Sequence, residues 1–110
     1  METVILKRVV IIGDCDLEAR LLKEILALGA TGYTCYSVRG RGGRGIRPRY
    51  EKSANLKIEV IASPEVALKI LEHIAENYFE DYAMIGFIDN VEVLKGQHFV
   101  GRPANRTSKK

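Results

Sequence analysis

The feature that most restricts the fold is a hydrophobic period that switches between two and roughly four along the chain, twice in the same order. Val4–Ile12 is dominated by β-branched residues and stops at Gly13-Asp14, which reads as a buried first strand. Leu17, Leu21, Ile25 and Leu28 follow at spacings of four, four and three. That is the stripe of a helix that Asp14 or Asp16 can cap and Gly29 can end. Gly32–Arg39 alternates again, with Tyr33, Cys35 and Ser37 set against Thr34, Tyr36 and Val38. After a long interruption Leu56–Ala62 does the same, with Leu56, Ile58 and Val60 on one face and Lys57, Glu59 and Ile61 on the other. Ser63-Pro64-Glu65 then opens a second helix, Ser63 as cap and Pro64 in the first turn, striped by Val66, Ile70, Leu71, Ile74 and Tyr78. Ala83–Ile88 reads as a fourth strand, and Val91–Leu94 as a short fifth or a continuation of it. The order β-α-β-β-α-β predicts an α+β, ferredoxin-like sandwich with two helices on one face of an antiparallel sheet. With 110 residues, 46% of them apolar, and no internal repeat, one domain is expected. Such a fold hosts many functions and by itself decides little about activity.

The interruption carries the chemistry. Arg39–Arg49 packs five arginines and four glycines into eleven residues between two strands. Glycine lets backbone N–H groups approach a ligand closely, and arginine offers a planar fork of donors for phosphate or carboxylate. Residues 39–54 therefore read either as an anion-binding loop or as a solvated basic loop with no fixed partner. Loops of this length in a small domain are commonly functional or disordered. Residues 39–52 carry +5, the tail 102–110 carries +4, and the rest of the chain carries −6. Positive charge confined to one loop and one tail favours a localised anion site over a broad nucleic-acid face. The lack of tryptophan also argues against an aromatic stacking platform for single strands.

Cys15 and Cys35 have no metal or redox spacing, and Met1-Glu-Thr-Val lacks the features of a secretory leader. No apolar run approaches the about 20 residues of a membrane span. Reduced thiols in a soluble cytoplasmic protein are the expectation. His73 and His98 read as surface histidines, with nothing to pair them into a metal site. There is no nucleophile–base pair, so the residues imply no catalysis and no prosthetic group.

Leu28-Gly-Ala-Thr-Gly-Tyr-Thr34, then Val38-Arg-Gly-Arg-Gly-Gly-Arg44, then Lys57-Ile-Glu-Val60, in this order of elements, resemble the PII-like signalling proteins. The resemblance runs over roughly residues 5–101. It implies a ferredoxin-like homotrimer that binds adenine nucleotides in clefts between subunits. A long T-loop after the second strand would report the ligand to a partner. Residues 1–101 would then be the PII-like domain, 39–54 its T-loop and 102–110 a basic tail. Gly29-Ala-Thr-Gly-Tyr-Thr34, Arg44 and Tyr78-Phe-Glu-Asp-Tyr-Ala83 look most like the inorganic-carbon branch, the carboxysome-associated PII proteins and the cyanobacterial regulator of a bicarbonate transporter. Members of that branch bind AMP, ADP, ATP or cyclic AMP, and some respond to bicarbonate. The partner implied is a bicarbonate transporter or a carboxysome-associated protein, with a membrane reached only through such a transporter.

By this resemblance Gly32, Tyr33 and Thr34 line the cleft, and Gly40 and Gly42 cradle a phosphate with backbone N–H groups. Arg44 forks onto phosphate oxygens, Glu59 meets the adenine region, Ile85 and Gly86 offer backbone to the base, and Arg102 adds a weaker contact across the subunit boundary. The chain also departs from the family. Where nitrogen-regulatory PII proteins carry a glycine–aspartate–glycine–lysine loop that grips a triphosphate, this chain has Glu80-Asp-Tyr-Ala-Met84. Two carboxylates there repel a triphosphate, which favours AMP or ADP over Mg-ATP. Tyr50 is no clear counterpart of the uridylylated tyrosine, and Gly101-Arg-Pro103 keeps only a fragment of the transporter regulator's cysteine-bracketed tail. Two other readings remain at this point: an RNA-binding protein using Arg-Gly-Arg-Gly-Gly-Arg-Gly, and a structural trimer that displays a basic loop to an acidic partner.

Overall fold

The computed structural model describes residues 1–40 and 55–95. Gly42, Arg44 and Arg102, with most of the glycine–arginine loop and the whole tail, lie outside the described residues. Six regular elements follow in the expected order: β1 Thr3–Asp14, α1 Glu18–Ala27, β2 Thr34–Val38, β3 Asn55–Ala62, α2 Pro64–Asn77 and β4 Ile85–Leu94. The strands make one sheet in the order β2-β3-β1-β4, and every neighbouring pair is antiparallel.

Alternation along the strands sorts the side chains onto two faces. Val9 and Ile11 of β1 and Leu56, Ile58, Val60 and Ala62 of β3 are buried in one cluster with Leu21 and Ile25 of α1 and Ala67, Ile70 and Ile74 of α2. Each large aliphatic group buried this way contributes about 1.5–3 kcal/mol. The opposite face carries no helix among the described residues and holds Arg8, Val10, Tyr36, Lys57, Glu59, Ile85 and Phe87.

The differences from expectation have local causes. Val91–Leu94 is not a separate strand. The ladder from Ile12↔Ile85 to Thr3↔Leu94 is unbroken, and the polar pair Asp89-Asn90 in its middle is held by Arg8 and Lys7 of β1. β2 is shorter than the alternation suggested because Gly32 and Tyr33 belong to the turn that enters it. Asp16 caps nothing with its side chain. Asp14 Oδ1 accepts from the Asp16 backbone N–H at 2.8 Å and starts a 3-10 turn, Cys15–Leu17, that leads into α1. Tyr78, the last residue of the second helical stripe, is core as expected at 1% exposure.

Gly29 ends α1 as expected. Its φ of 118° lies in the left-handed region, its N–H donates to Leu26 O, and Ala30 N–H donates to Ile25 O. That is a Schellman motif, which satisfies the last carbonyls of the helix. A Cβ here would also stand 3.1 Å from Val66 Cγ2.

Glu24 ties the helices together. Tyr78 Oη–H donates to Glu24 Oε1 at 2.6 Å, His73 Nε2 lies 2.8 Å from the same oxygen, and Arg20 lies over the Tyr78 ring. Asn77 reaches the other ring nitrogen of His73 at 3.1 Å. Burial alone would raise the Glu24 pKa, but the Tyr78 and His73 hydrogen bonds and the nearby cations bring it below its usual value. The phenol of Tyr78 is pushed up to about 12, mainly by burial and then by Glu24.

Two outcomes are expected. Gly29→Ala, which combines a strained φ with a tight contact, lowers unfolding free energy by about 1 kcal/mol or more in urea titration. A carboxylate whose folded pKa is depressed gives stability that is present above its unfolded value near about 4.3 and lost as pH falls through the folded value. The urea midpoint of the wild type therefore drops more steeply between about pH 5 and 3 than that of Glu24→Gln, which keeps the shape and an acceptor for Tyr78.

Candidate functional site

The β2–β3 register sets Thr34 directly opposite Glu59, on the face without helices. Glu59 is 25% exposed and already partnered. Tyr36 Oη–H donates to its Oε2 at 2.7 Å, and Lys57 Nζ stands 3.7 Å from the same oxygen. Arg8 of β1 approaches Oε1 at 3.7 Å. The same guanidinium forks onto Asp89 of β4, with Nε–Oδ1 and Nη2–Oδ2 both 3.1 Å. The Arg8 hydrogen bond holds the Asp89 carboxyl below its usual pKa, although both groups are open to solvent. One row of polar contacts, Tyr36–Glu59–Arg8–Asp89, thus crosses all four strands.

The cations beside Glu59 are not opposite it. Lys57 shares its strand, and Arg8 comes from β1. Neither Tyr36 nor Arg8 is among the residues that sequence reasoning marked. Alternation put Glu59 on the outer face, but only the register shows that Tyr36, a diagonal neighbour across β2–β3, reaches it.

The remaining candidates are spread along both sheet edges. Gly32 and Tyr33 are exposed in the turn before β2, and Gly40 is exposed beyond its end. Ile85 and Gly86 open β4, opposite Ile12 and Ile11 of β1. Since β3 and β1 intervene, Thr34 and Ile85 sit on opposite edges, about 14 Å apart at the usual strand spacing. Within a single chain, then, the fold groups Gly32, Tyr33, Thr34 and Glu59 but not Ile85 and Gly86 with them. A Cβ at Gly86 would point toward α2, 3.6 Å from Leu71 Cδ2, so the missing side chain leaves room on the helix side rather than on the open face.

Glu80 and Asp81 are exposed in the turn after α2, which the Tyr78 carbonyl pins by accepting from Asp81 and Tyr82 N–H at 3.2 and 2.9 Å. Cys15 and Cys35 are free thiols. Burial first, then nearby carboxylates, raises both pKa values, which makes them poor nucleophiles. Asp14, Cys15 and Asp16 bring potential metal-ligand atoms within 4.8 Å of one another, but Asp14 is already engaged as a cap. No described helix is long and apolar enough to cross a membrane.

Gly86→Ala is expected to leave stability unchanged or raise it by about 0.4–1 kcal/mol, because the backbone there is extended and the new methyl meets only ordinary contacts. A thermal melt of the variant checks this.

Solved structures share this architecture. A PII-like signalling protein from Thermus thermophilus is 45% identical, with 91% of this chain and 100% of that one covered and a TM-score of 0.79. CPII from Thiomonas intermedia bound to ADP, AMP and acetate is 21% identical, with 91% and 99% covered and a TM-score of 0.80. The same CPII bound to ADP and bicarbonate matches at 21% identity, with 86% and 93% covered and a TM-score of 0.74. A family model described as nitrogen regulatory protein P-II matches residues 6–98. The chain belongs to the P-II family.

Proposed function

We propose that this protein is a signal-transduction subunit that senses AMP or ADP, together with bicarbonate, and relays carbon or energy status through its 39–54 loop. The observation that carries this reading is the P-II family match over residues 6–98. The choice of ligand is supported by CPII, a fold neighbour whose structures hold ADP with AMP or with bicarbonate.

A homotrimer suits the geometry. Thr34 and Glu59 lie toward one edge of the sheet and Ile85 and Gly86 on the other, so a second copy is needed to bring both sets around one ligand. The face without helices offers a surface for that contact. Ile85 and Phe87 are 49% and 42% exposed there, beside half-buried Ile12 and Ile61. Exposed apolar groups of this kind are a common mark of association.

In the cleft, Thr34 and Glu59 meet the base, with Gly32 and Tyr33 beside them and Ile85 and Gly86 supplied across the boundary. Gly40 and Gly42 leave backbone N–H groups free for phosphate, Arg44 forks onto its oxygens, and Arg102 adds a further contact. Glu80 and Asp81, a few residues before Ile85, oppose a third phosphate, so AMP and ADP bind ahead of ATP. Differential affinity for two loop states passes the signal to a bicarbonate transporter or carboxysome-associated protein. Residues 1–101 form the sensing domain and 102–110 a basic tail, and the whole acts in the cytoplasm. The P-II family and these fold neighbours give no support to the RNA-binding alternative.

Calorimetric titration with AMP, ADP, ATP and cyclic AMP, with and without bicarbonate, tests the reading. AMP and ADP are expected to bind tighter than ATP, and Arg44→Ala to weaken AMP by about tenfold or more, the usual cost of losing a charge-assisted fork. Negligible heats throughout, or a sedimenting mass near the 12.3 kDa of one chain, would overturn it.

A further inference from the structure

We propose that Tyr36 is a positioning residue that orients Glu59 toward the base and so favours adenine, with its exocyclic amine, over hypoxanthine, with an oxo group at the same place. The inference rests on the adenine-nucleotide reading and adds a residue and a selectivity to it. An ionised carboxylate only accepts hydrogen bonds, so it welcomes an amine and repels a carbonyl oxygen. A site built around such a group can reject the wrong partner far more strongly than an apolar pocket can.

The carboxylate must be held in one orientation for that discrimination to work, and a glutamate has several rotatable bonds. Tyr36 supplies the restraint. Its hydroxyl takes Glu59 Oε2 at 2.7 Å, and Lys57 Nζ sits 3.7 Å from that same oxygen. Among the described residues Oε1 has only the 3.7 Å approach of Arg8, which is beyond hydrogen-bond distance, so it is the oxygen placed to accept from a ligand. Tyr36 is itself braced, with Lys57 Nζ 5.7 Å from its ring centroid, and Thr34 lies directly across the strand pair from Glu59. Orienting a recognition group before the ligand arrives is what such a supporting bond contributes.

Dissociation constants of the full chain for AMP, inosine monophosphate and ribose 5-phosphate test this, measured on wild type, Tyr36→Phe, Glu59→Gln and the double variant. Tyr36→Phe is expected to weaken AMP by about five- to tenfold, within what one ordinary hydrogen bond is worth, because the lost bond orients Glu59 and does not itself touch the ligand. It should leave inosine monophosphate and ribose 5-phosphate within about twofold, so the AMP preference narrows. Glu59→Gln narrows it too, and in that background Tyr36→Phe adds nothing. Melting curves without ligand isolate any purely structural effect, which would shift melting temperature and leave the AMP-to-inosine ratio unmoved. An unchanged ratio in Tyr36→Phe, or an equal narrowing with and without Glu59, overturns the inference while the nucleotide reading stands. Absence of AMP binding to the wild type overturns both.

Discussion

The antiparallel register between β1 and β3 is the constraint on which the rest depends. It pairs Val9 with Val60 and Ile11 with Ile58, and these four side chains face the helices. Because strand side chains alternate, the same register sends Arg8, Val10, Lys57 and Glu59 to the other face. A slip of one residue would bury Glu59 under α2 and expose the aliphatic core, a cost no local interaction could offset. The position of the candidate site is thus set by core packing, before any ligand chemistry enters.

The two faces then meet different demands. The helix side is closed by aliphatic packing and tied at its rim by Glu24, His73 and Tyr78. The open side mixes apolar groups with a row of charges that already satisfy one another across the strands. Such pre-pairing matters if a second copy covers this face. A lone charge carried into an interface costs several kcal/mol, whereas the forked Arg8–Asp89 pair arrives already joined by two hydrogen bonds. Association can therefore draw on Ile85, Phe87 and their neighbours without stranding a charge.

Much of the fold was legible in the sequence because its signals are local. Gly29 after the Leu17–Leu28 stripe, Ser63-Pro64 ahead of the second stripe, and the strict alternation of Leu56–Ala62 each specify structure within a few residues. The candidate site was legible only in part. Placing Glu59 on the outer face needed nothing beyond period two. Finding Tyr36 on its carboxylate needed the register of two strands joined by a long loop, which no local pattern encodes. The same holds for Arg8 and Asp89, 81 positions apart. The extent of β4 stayed open because Asp89-Asn90 looks like a break, and it is Arg8 and Lys7, far away in sequence, that make those residues acceptable there.

Charge placement also fixes how a nucleotide would lie in the proposed cleft. The body of the chain is acidic, and Glu59 brings a hydrogen-bond acceptor to the base end, its charge already offset by Lys57 and Arg8. The arginines begin at Arg39, immediately after β2, so positive charge starts where the strand that carries Thr34 and Tyr36 ends. A ligand with an amine at one end and a dianion at the other has one favourable direction along that strand, base over Glu59 and phosphate toward the loop. Reversing it would take the phosphate away from the arginines and face the uncharged amine, a donor, with groups that can only donate. An acceptor at one end of a short strand and arginines beyond the other thus serve orientation as much as affinity. In the proposed cleft every phosphate added to the ligand would extend it away from Glu59, so the terminal phosphate would be the group that differs most between one adenylate and another at the arginine end.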